Sequence, residues 1–488
     1  MMNKMQPVIL HSRPSRANFV NCACPVETTA MPAVNLSALD QLWHVAPELH
    51  HNPLPSDHHL FFNPVGAAGA VVLNAPAYAL WQSYQHPQPI RNDYARQLAT
   101  AQLLQPYAPA THSAASCFPA PTALTAWLHV TNACNLRCTY CYLNKSNERM
   151  DVETGKDAVN MLYRMAEKRG YKTVKLKYSG GESTLNFQLI RTLHRHASQL
   201  SQQTGIDLQE VVLSNGVWLT DDMLAFLFAN QIELSISLDG LGAEHDRQRP
   251  FISGASTSSL IQQNIDKAIE QGIRPHISIT VTANNAQSLA PVVSFVLDRG
   301  LYFNFNFYQE HTPNIHFNNL RAANKRIIDG VKEGLAIIEA NLPAYDIFTS
   351  LLDRASFAAP HTQTCGAGDN YIVIDHKGKV ARCHMEIEHP VSDIWQADPL
   401  TDIKFVPGEE GFINTPVDAK EECSTCRWRY WCTGGCSLVT YRLTGRSDVR
   451  SPYCDVYQAI FPEILRLEGM RLMKWHYADA ANSKFAVV

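Results

Sequence analysis

The chain has 488 residues, 45% hydrophobic and 18% charged, which is globular composition with length for two to four domains and excludes disorder as the default state. Its net charge is -4 with lysine and arginine scattered, so there is no basic stripe for a phosphate backbone and nucleic acid is excluded as a partner. The start, MMNKMQPVILHSRPSRANF, has no apolar run behind a basic flank, and no later stretch reaches the ~20 apolar residues of a membrane helix, so the expected location is cytoplasmic with no membrane partner.

Taken in chain order, residues 1–120 form a small N-terminal unit. Within it, HHLFFNPVGAAGAVVLNAPAYALWQSYQHPQPIRNDYARQLATAQLLQPY runs strand, turn, strand (AVVLN), helix (APAYALWQSY), helix (NDYARQLATAQLL). The HH pairs at 50–51 and 58–59 read as surface polar residues. Cys22 and Cys24 in NCAC make a poor metal site in a Pro-rich tail.

From 121 to 345, β-rich runs alternate with helical periodicity. The predicted strands are WLHV (127–130), VKLKYSG (174–180), VVLSNG (211–216), IELSISLDG (232–240), HISITV (276–281) and YFNFNFY (302–308). Helices are predicted at 153–170, 189–205 and 259–272, each ending in glycine. Parallel strands joined by helices make a doubly wound sheet or a barrel, whose reactive face lies at the strand C-termini. CNLRCTYC, GGE, SNG and SLDG follow strands one to four at that face.

Ten of the thirteen cysteines fall into two groups, 134–141 and 365–454. Such clustering in a reducing compartment points to metal more than to disulfides. CNLRCTYC spaces Cys134, Cys138 and Cys141 as CxxxCxxC; three thiolates can hold three irons of a 4Fe–4S cluster and leave the fourth iron open. A zinc knuckle with a distant fourth ligand is the alternative. In the second group, CGAGDNYIVIDHKGKVARC (365–383) reads as a β-hairpin turning at DHKGK. Cys423, Cys426, Cys432, Cys436 and Cys454 follow, seven cysteines in all, more than one zinc needs. After Cys454 the sequence turns amphipathic, predicting a closing helix over 461–488.

Residues 121–345 resemble the radical S-adenosylmethionine (SAM) enzymes, whose signature is this CxxxCxxC loop after the first strand of a partial (β/α)6 barrel. The resemblance implies a SAM-binding 4Fe–4S cluster on Cys134, Cys138 and Cys141. It further implies SAM contacts from Gly180, Gly181 and Glu182, from Ser237 and Arg249, and from Tyr140 beside the adenine. On the residues alone, Ser237 could sit in an exposed turn and Arg249 in a surface ion pair.

The 346–460 segment resembles the SPASM extension, a cysteine-rich module carrying two auxiliary iron–sulfur clusters. The resemblance implies Cys423, Cys426, Cys432 and Cys454 on the outer cluster, and Cys365, Cys383 and Cys436 on the inner one. Where the fullest pattern has a further cysteine this chain has Ala359, so the inner cluster could bind substrate through an open iron, take His361 or water, or be a smaller cluster. The expected fold is therefore α/β: a partial barrel, a C-terminal SPASM module and a small α+β N-terminal domain.

SPASM enzymes mostly modify peptides or proteins, which implies a peptide or protein substrate, crosslink formation or side-chain oxidation, and an external electron donor of flavodoxin or ferredoxin type. In sulfatase maturases, which make formylglycine, an aspartate proposed as base follows the second hairpin cysteine; here His384 follows Cys383, which weakens that alternative. His384 and Asp375 are the candidate proton acceptors near the inner cluster. The N-terminal element order is similar to the winged-helix precursor-recognition domains of peptide-modifying radical SAM enzymes, which implies a leader peptide added at a strand edge. The competing class is a non-catalytic zinc-binding scaffold.

Overall fold

The structure is a computed structural model and describes residues 6–12, 41–107, 121–310, 320–349, 351–404 and 412–485, the side chains of 479–485 excepted. Cys22, Cys24 and Cys117 lie outside the described residues.

Six parallel strands make the centre: Ala123–Thr131, Thr173–Gly180, Asp207–Ser214, Glu233–Ser237, His276–Val281 and Phe303–Phe307. They lie side by side in sequence order. All six predicted strands are present, and the first is longer than WLHV and buried along its whole length. Helices between them cover the outer face, as right-handed crossovers on a parallel sheet require.

Local chemistry sets the helix ends. Asp151 caps Val152–Arg169 by accepting from Thr154 N at 2.8 Å, and Gly170 ends that helix at φ 75°, where a side chain would be strained. Lys168 and Arg169 in its last turn bind Asp398 at 2.9 and 2.8 Å, tying the cysteine-rich segment to the barrel. Gly155 lets this helix approach Phe187–Thr204, since a Cβ there would lie 2.9 Å from Leu193 Cδ2.

The barrel sheet does not end at its first strand. Tyr371–Ile374 pairs parallel to that strand, Tyr371 opposite Thr125 and Ile374 opposite Leu128. Lys379–Ala381 and Ser392–Asp393 continue the sheet antiparallel to nine strands. The predicted hairpin is thus part of the barrel sheet, and it carries Cys383 and His384 to the rim of the barrel.

The N-terminal region holds a four-stranded antiparallel sheet in the order Ile9–His11, Ala70–Leu73, His58–Phe62, His50–Leu54. Helices Ala75–Ser83 and Asp93–Thr100 follow, capped by Asn74 and Asn92. Their core is Trp43, Phe61, Val71, Leu73 and Leu98. The forecast order strand, strand, helix, helix is present. A second sheet of Gln88–Pro89, Leu42–Val45 and Leu104–Pro106 was not visible in the sequence, because strands of two to four residues leave no alternation to read.

The closing helix runs Cys454–Phe485, beginning seven residues before the expected 461. It packs between the barrel helix Asn324–Ala340 and the N-terminal sheet: Arg466 pairs with Glu339 at 2.5 Å, and Ser12 Oγ donates to Glu468 at 2.7 Å. Phe62 stacks edge-on against Trp431 at 4.7 Å, and Trp431 Nε1 donates to Pro64 O at 2.8 Å. The N-terminal sheet therefore rests on the cysteine-rich segment. Among the described residues no helix is long and apolar enough to cross a membrane.

Candidate active site and cysteine clusters

Alternation along the strands gives the barrel two unlike faces. Leu124, Ala126, Leu128 and Val130 point to the helices and join the main core, while Trp127, Ser179, Ser235, Ser278, Asn304 and Asn306 face a cavity of about 290 Å³. One wall is a continuous chain of hydrogen bonds. His276 Nε2 meets Asn304 Oδ1 at 2.8 Å, Asn304 Nδ2 donates to Asn306 Oδ1 at 2.8 Å, and Asn306 Nδ2 donates to Ser278 Oγ at 2.7 Å. These residues were not singled out in the sequence. Their signal was the period-two placing of polar residues in LSIS, HISIT and NFNF, legible once those runs are read as strands.

Cys134, Cys138 and Cys141 face this cavity from the loop after the first strand, and Gly180, Gly181 and Glu182 face it from the end of the second. The two turns are pressed together. A Cβ on Gly180 would lie 2.4 Å from Thr131 O, and one on Gly181 2.4 Å from Ala133 O. Gly181 N donates to Thr131 O and Glu182 N to Ala133 O, both at 2.8 Å. The glycines thus let the turn clamp the base of the cysteine loop.

Glu182 is buried and its carboxylate is fully engaged. Oε1 accepts from Thr184 N at 3.1 Å, Thr184 Oγ1 at 2.7 Å and Ser214 Oγ at 2.9 Å; Oε2 accepts from Asn215 N at 2.6 Å. It joins the GGE turn to the SNG turn of the third strand.

Tyr140 and Arg249 both line the cavity, as does Ser237. Arg249 donates to Tyr140 Oη, and the Tyr140 hydroxyl donates to Asp239 Oδ2 at 2.6 Å. Asp239 is fully buried, lies 3.7 Å from Arg249, and accepts from Thr280 N at 2.8 Å. Burial raises its carboxyl above the ordinary value, and the Arg249 guanidinium opposes that rise. The surface ion pair considered for Arg249 is therefore a buried one, with Asp239 of SLDG as the partner that sequence reading missed. Burial also pushes the Cys138 thiol up to about 11 and raises Cys134. In such surroundings a thiolate persists when a cation is bound to it.

The hairpin contributes His384 and Met385 to the same cavity. His384 stacks on Trp127 at 4.7 Å, and its Nδ1 lies 3.4 Å from Tyr371 Oη. Burial, with Arg354, Lys177 and Arg442 nearby, lowers its pKa to about 3, so the ring is neutral. Asp375 is elsewhere. It forms the hairpin tip, where Oδ1 accepts from Lys377 N at 2.8 Å and Lys379 N at 2.7 Å, and it is not among the cavity residues. Its carboxylate shapes the turn DHKGK, as a short acidic side chain does there.

The second cysteine group divides in space. Cys423, Cys426, Cys432 and Cys454 line one cavity of about 110 Å³, with Gln458 and Trp428 donating to Cys426 Sγ at 3.3 and 3.4 Å. Cys365, Cys383 and Cys436 pack instead around Ala367, Phe412 and Leu438. The chain passes between the two sets through Thr433, Gly434 and Gly435, all left-handed at φ 48°, 74° and 69°. The glycines take that conformation without cost, and Thr433 holds it by donating to Thr364 Oγ1 at 2.8 Å.

Among the described residues no three His, Cys, Asp or Glu side chains converge tightly enough for a single metal ion. Four thiolates on zinc, each bonded at ~2.3 Å, would crowd their sulfurs together. A cubane spreads its ligands around an iron–sulfur box. The three sets fit such clusters in donor type, the first and outer sets each facing a cavity, and the polar-walled cavity beside the first set fits a small polar cofactor.

Residues 128–291 match the family model of the radical SAM superfamily, so this segment is a radical SAM domain. An uncharacterized protein of Methanocaldococcus jannaschii is 28% identical over 175 residues, covering 36% of this chain and 58% of that protein. A cysteine-type anaerobic sulfatase-maturating enzyme of Clostridium perfringens is 22% identical over 359 residues, covering 68% of this chain and 93% of the enzyme. The solved structure of native anSMEcpe with bound AdoMet and Cp18Cys peptide superposes with a TM-score of 0.54 at 17% identity, over 72% of this chain and 99% of that one. The two chains share a fold, which in this chain is a partial barrel followed by a cysteine-rich C-terminal region.

Proposed function

We propose that this chain is a radical SAM enzyme of the SPASM type that modifies a side chain of a ribosomally made peptide or a partner protein, by crosslinking or oxidation. The observation that carries the reading is one cavity faced at once by Cys134, Cys138 and Cys141, by Gly180–Glu182, Ser237 and Arg249, and by His384 of the hairpin. A 4Fe–4S cluster on the three cysteines, with SAM on its open iron, supplies when bound a 5′-deoxyadenosyl radical able to take a hydrogen atom from substrate.

The chain's own residues do the rest. The glycine pair fixes the base of the cysteine loop, and the Arg249–Tyr140–Asp239 group fixes its far end. The His276–Asn304–Asn306–Ser278 wall orients whatever polar group enters, because its donors and acceptors are already committed to one arrangement. Trp127, Tyr142 and Leu143 exclude water from one side. His384, which faces the cavity from the hairpin, is the proposed proton acceptor by position; Asp375 is set aside because it does not face the cavity. A peptide or protein substrate is supported by the similarity to a sulfatase-maturating enzyme and by the Cp18Cys peptide bound to anSMEcpe.

The N-terminal unit would recruit that substrate. His50–Leu54 pairs with His58–Phe62 on one side, and among the described residues no strand pairs with its outer edge. A leader peptide could add there as a further strand. The remaining proposed setting is cytoplasmic, with an external flavodoxin- or ferredoxin-type donor.

Anaerobically purified protein should be brown, absorb near ~400 nm and hold on the order of ten to twelve irons. With dithionite and SAM it should release 5′-deoxyadenosine. Replacing Cys134, Cys138 and Cys141 with alanine should abolish the release and leave auxiliary iron in place. Colourless protein with stoichiometric zinc, or SAM cleavage surviving in the triple variant, would overturn the assignment.

A further inference from the structure

Between the two auxiliary cysteine sets lies a buried lysine. Lys420 is 1% exposed, and its Nζ donates to two neutral oxygens, Thr433 O at 2.9 Å and Ser437 Oγ at 3.4 Å. Thr433 opens the turn between the two sets and Ser437 directly follows Cys436 of the inner set, while Cys423 of the outer set lies beside Gly434, as the ammonium does. Gly434 leaves the room it needs: a Cβ there would lie 2.7 Å from Lys420 Cδ, 3.1 Å from Nζ and 3.2 Å from Cys423 Sγ. The ammonium and the Cys423 sulfur therefore both lie against the side of Gly434 where a side chain would project.

Burying an ammonium costs several kcal/mol, and two neutral acceptors offset little of that. The thiolates of two iron–sulfur clusters would supply the missing negative charge. We propose that Lys420 is the shared counter-cation of both auxiliary clusters and raises the reduction potential of each. This rests on reading the two sets as iron–sulfur clusters. The physical reason is that a reduced cluster is more negative than an oxidised one, so a fixed positive charge nearby favours reduction. Burial keeps the effect from being screened by salt. The Thr433 carbonyl, held by the left-handed turn that separates the sets, places the ammonium between them.

The test uses the full chain carrying the Cys134→Ala, Cys138→Ala and Cys141→Ala changes, so that auxiliary iron alone is seen. Midpoint potentials are measured by EPR-monitored redox titration in this background, and with Lys420→Met or Lys420→Arg added. Lys420→Met should move both auxiliary potentials to more negative values at unchanged iron content, and Lys420→Arg should move them less. Unchanged potentials, or a shift confined to one cluster, would overturn the shared role. Should Lys420→Met lose its iron, retention in Lys420→Arg supports the cation, and equal loss in both overturns it. Absence of iron from the parent protein would instead refute the cluster reading itself.

Discussion

Gly181 and Ala133 meet backbone to backbone: a Cβ on the glycine would fall 2.4 Å from Ala133 O and 2.7 Å from Ala133 C. The atom in the way is main chain, so no side-chain rotation can relieve the clash, and the cysteine loop itself must shift. Gly181→Ala should therefore destabilise the fold by roughly 1–3 kcal/mol, the usual range for overpacking. It should also lower the iron held by Cys134, Cys138 and Cys141 while sparing auxiliary iron. Iron analysis and EPR of the reduced protein check this. Full occupancy of the first cluster in Gly181→Ala would show that the contact does not fix the loop.

Glu182 gives a second, independent handle on the same turn. All four groups around its carboxylate are donors: Thr184 N, Thr184 Oγ1, Ser214 Oγ and Asn215 N. Glu182→Gln keeps the shape but turns an NH2 toward donors, leaving at least one buried polar group unmatched. The expected cost is about 1–3 kcal/mol, read from chemical denaturation of both proteins. An unchanged midpoint would mean that the GGE and SNG turns do not depend on this carboxylate.

Much of the barrel was legible in the sequence because its strands are short apolar runs bounded by loops that carry recognisable chemistry. CNLRCTYC, GGE and SLDG all reach the cavity predicted for them. The roles inside those motifs were less legible, since they depend on which loops touch. Gly181 serves the cysteine loop, and Asp239 joins Arg249 and Tyr140 across the barrel. The parallel pairing of Tyr371–Ile374 with the first strand was beyond local reading as well, because it joins residues more than two hundred apart in the chain. Asp375 was named from its position in the hairpin alone, and what position could not show is that its Oδ1 accepts from Lys377 N and Lys379 N at the hairpin tip.

His194 predicts a pH dependence of stability. Its Nδ1 lies 2.6 Å from Glu210 Oε2 and its Nε2 2.9 Å from Asn230 Oδ1, so both ring nitrogens face acceptors and the doubly protonated ring satisfies both. The Glu210 bond raises its pKa above 6.5, against the effect of burial. A raised folded value means the contribution is fully present below the unfolded value of about 6.5 and is lost as pH rises through the folded one. The stability advantage of the natural chain over His194→Gln should thus be larger at pH 6 than at pH 9. Denaturation curves of both proteins at the two values measure it, and an advantage that grows with pH would contradict the pairing.

The outer cysteine set predicts a separation of iron from stability. Cys423, Cys426 and Cys432 sit in one short segment, whereas Cys454 begins the helix that runs to Phe485 and packs on both the barrel and the N-terminal sheet. A cluster bound there would contribute folding energy, because it would tie the start of that helix to residues 423–432. Cys426→Ala and Cys454→Ala should each lose about four irons of a full complement of ten to twelve. Each should retain dithionite-dependent release of 5′-deoxyadenosine, since the Cys134–Cys141 loop faces a different cavity. Cys454→Ala should melt at the lower temperature of the two, because it also removes the tether at the first turn of the helix. A matching loss of iron with equal melting temperatures would mean that the helix is held by its packing alone, through contacts such as Glu468 with Ser12 and Arg466 with Glu339.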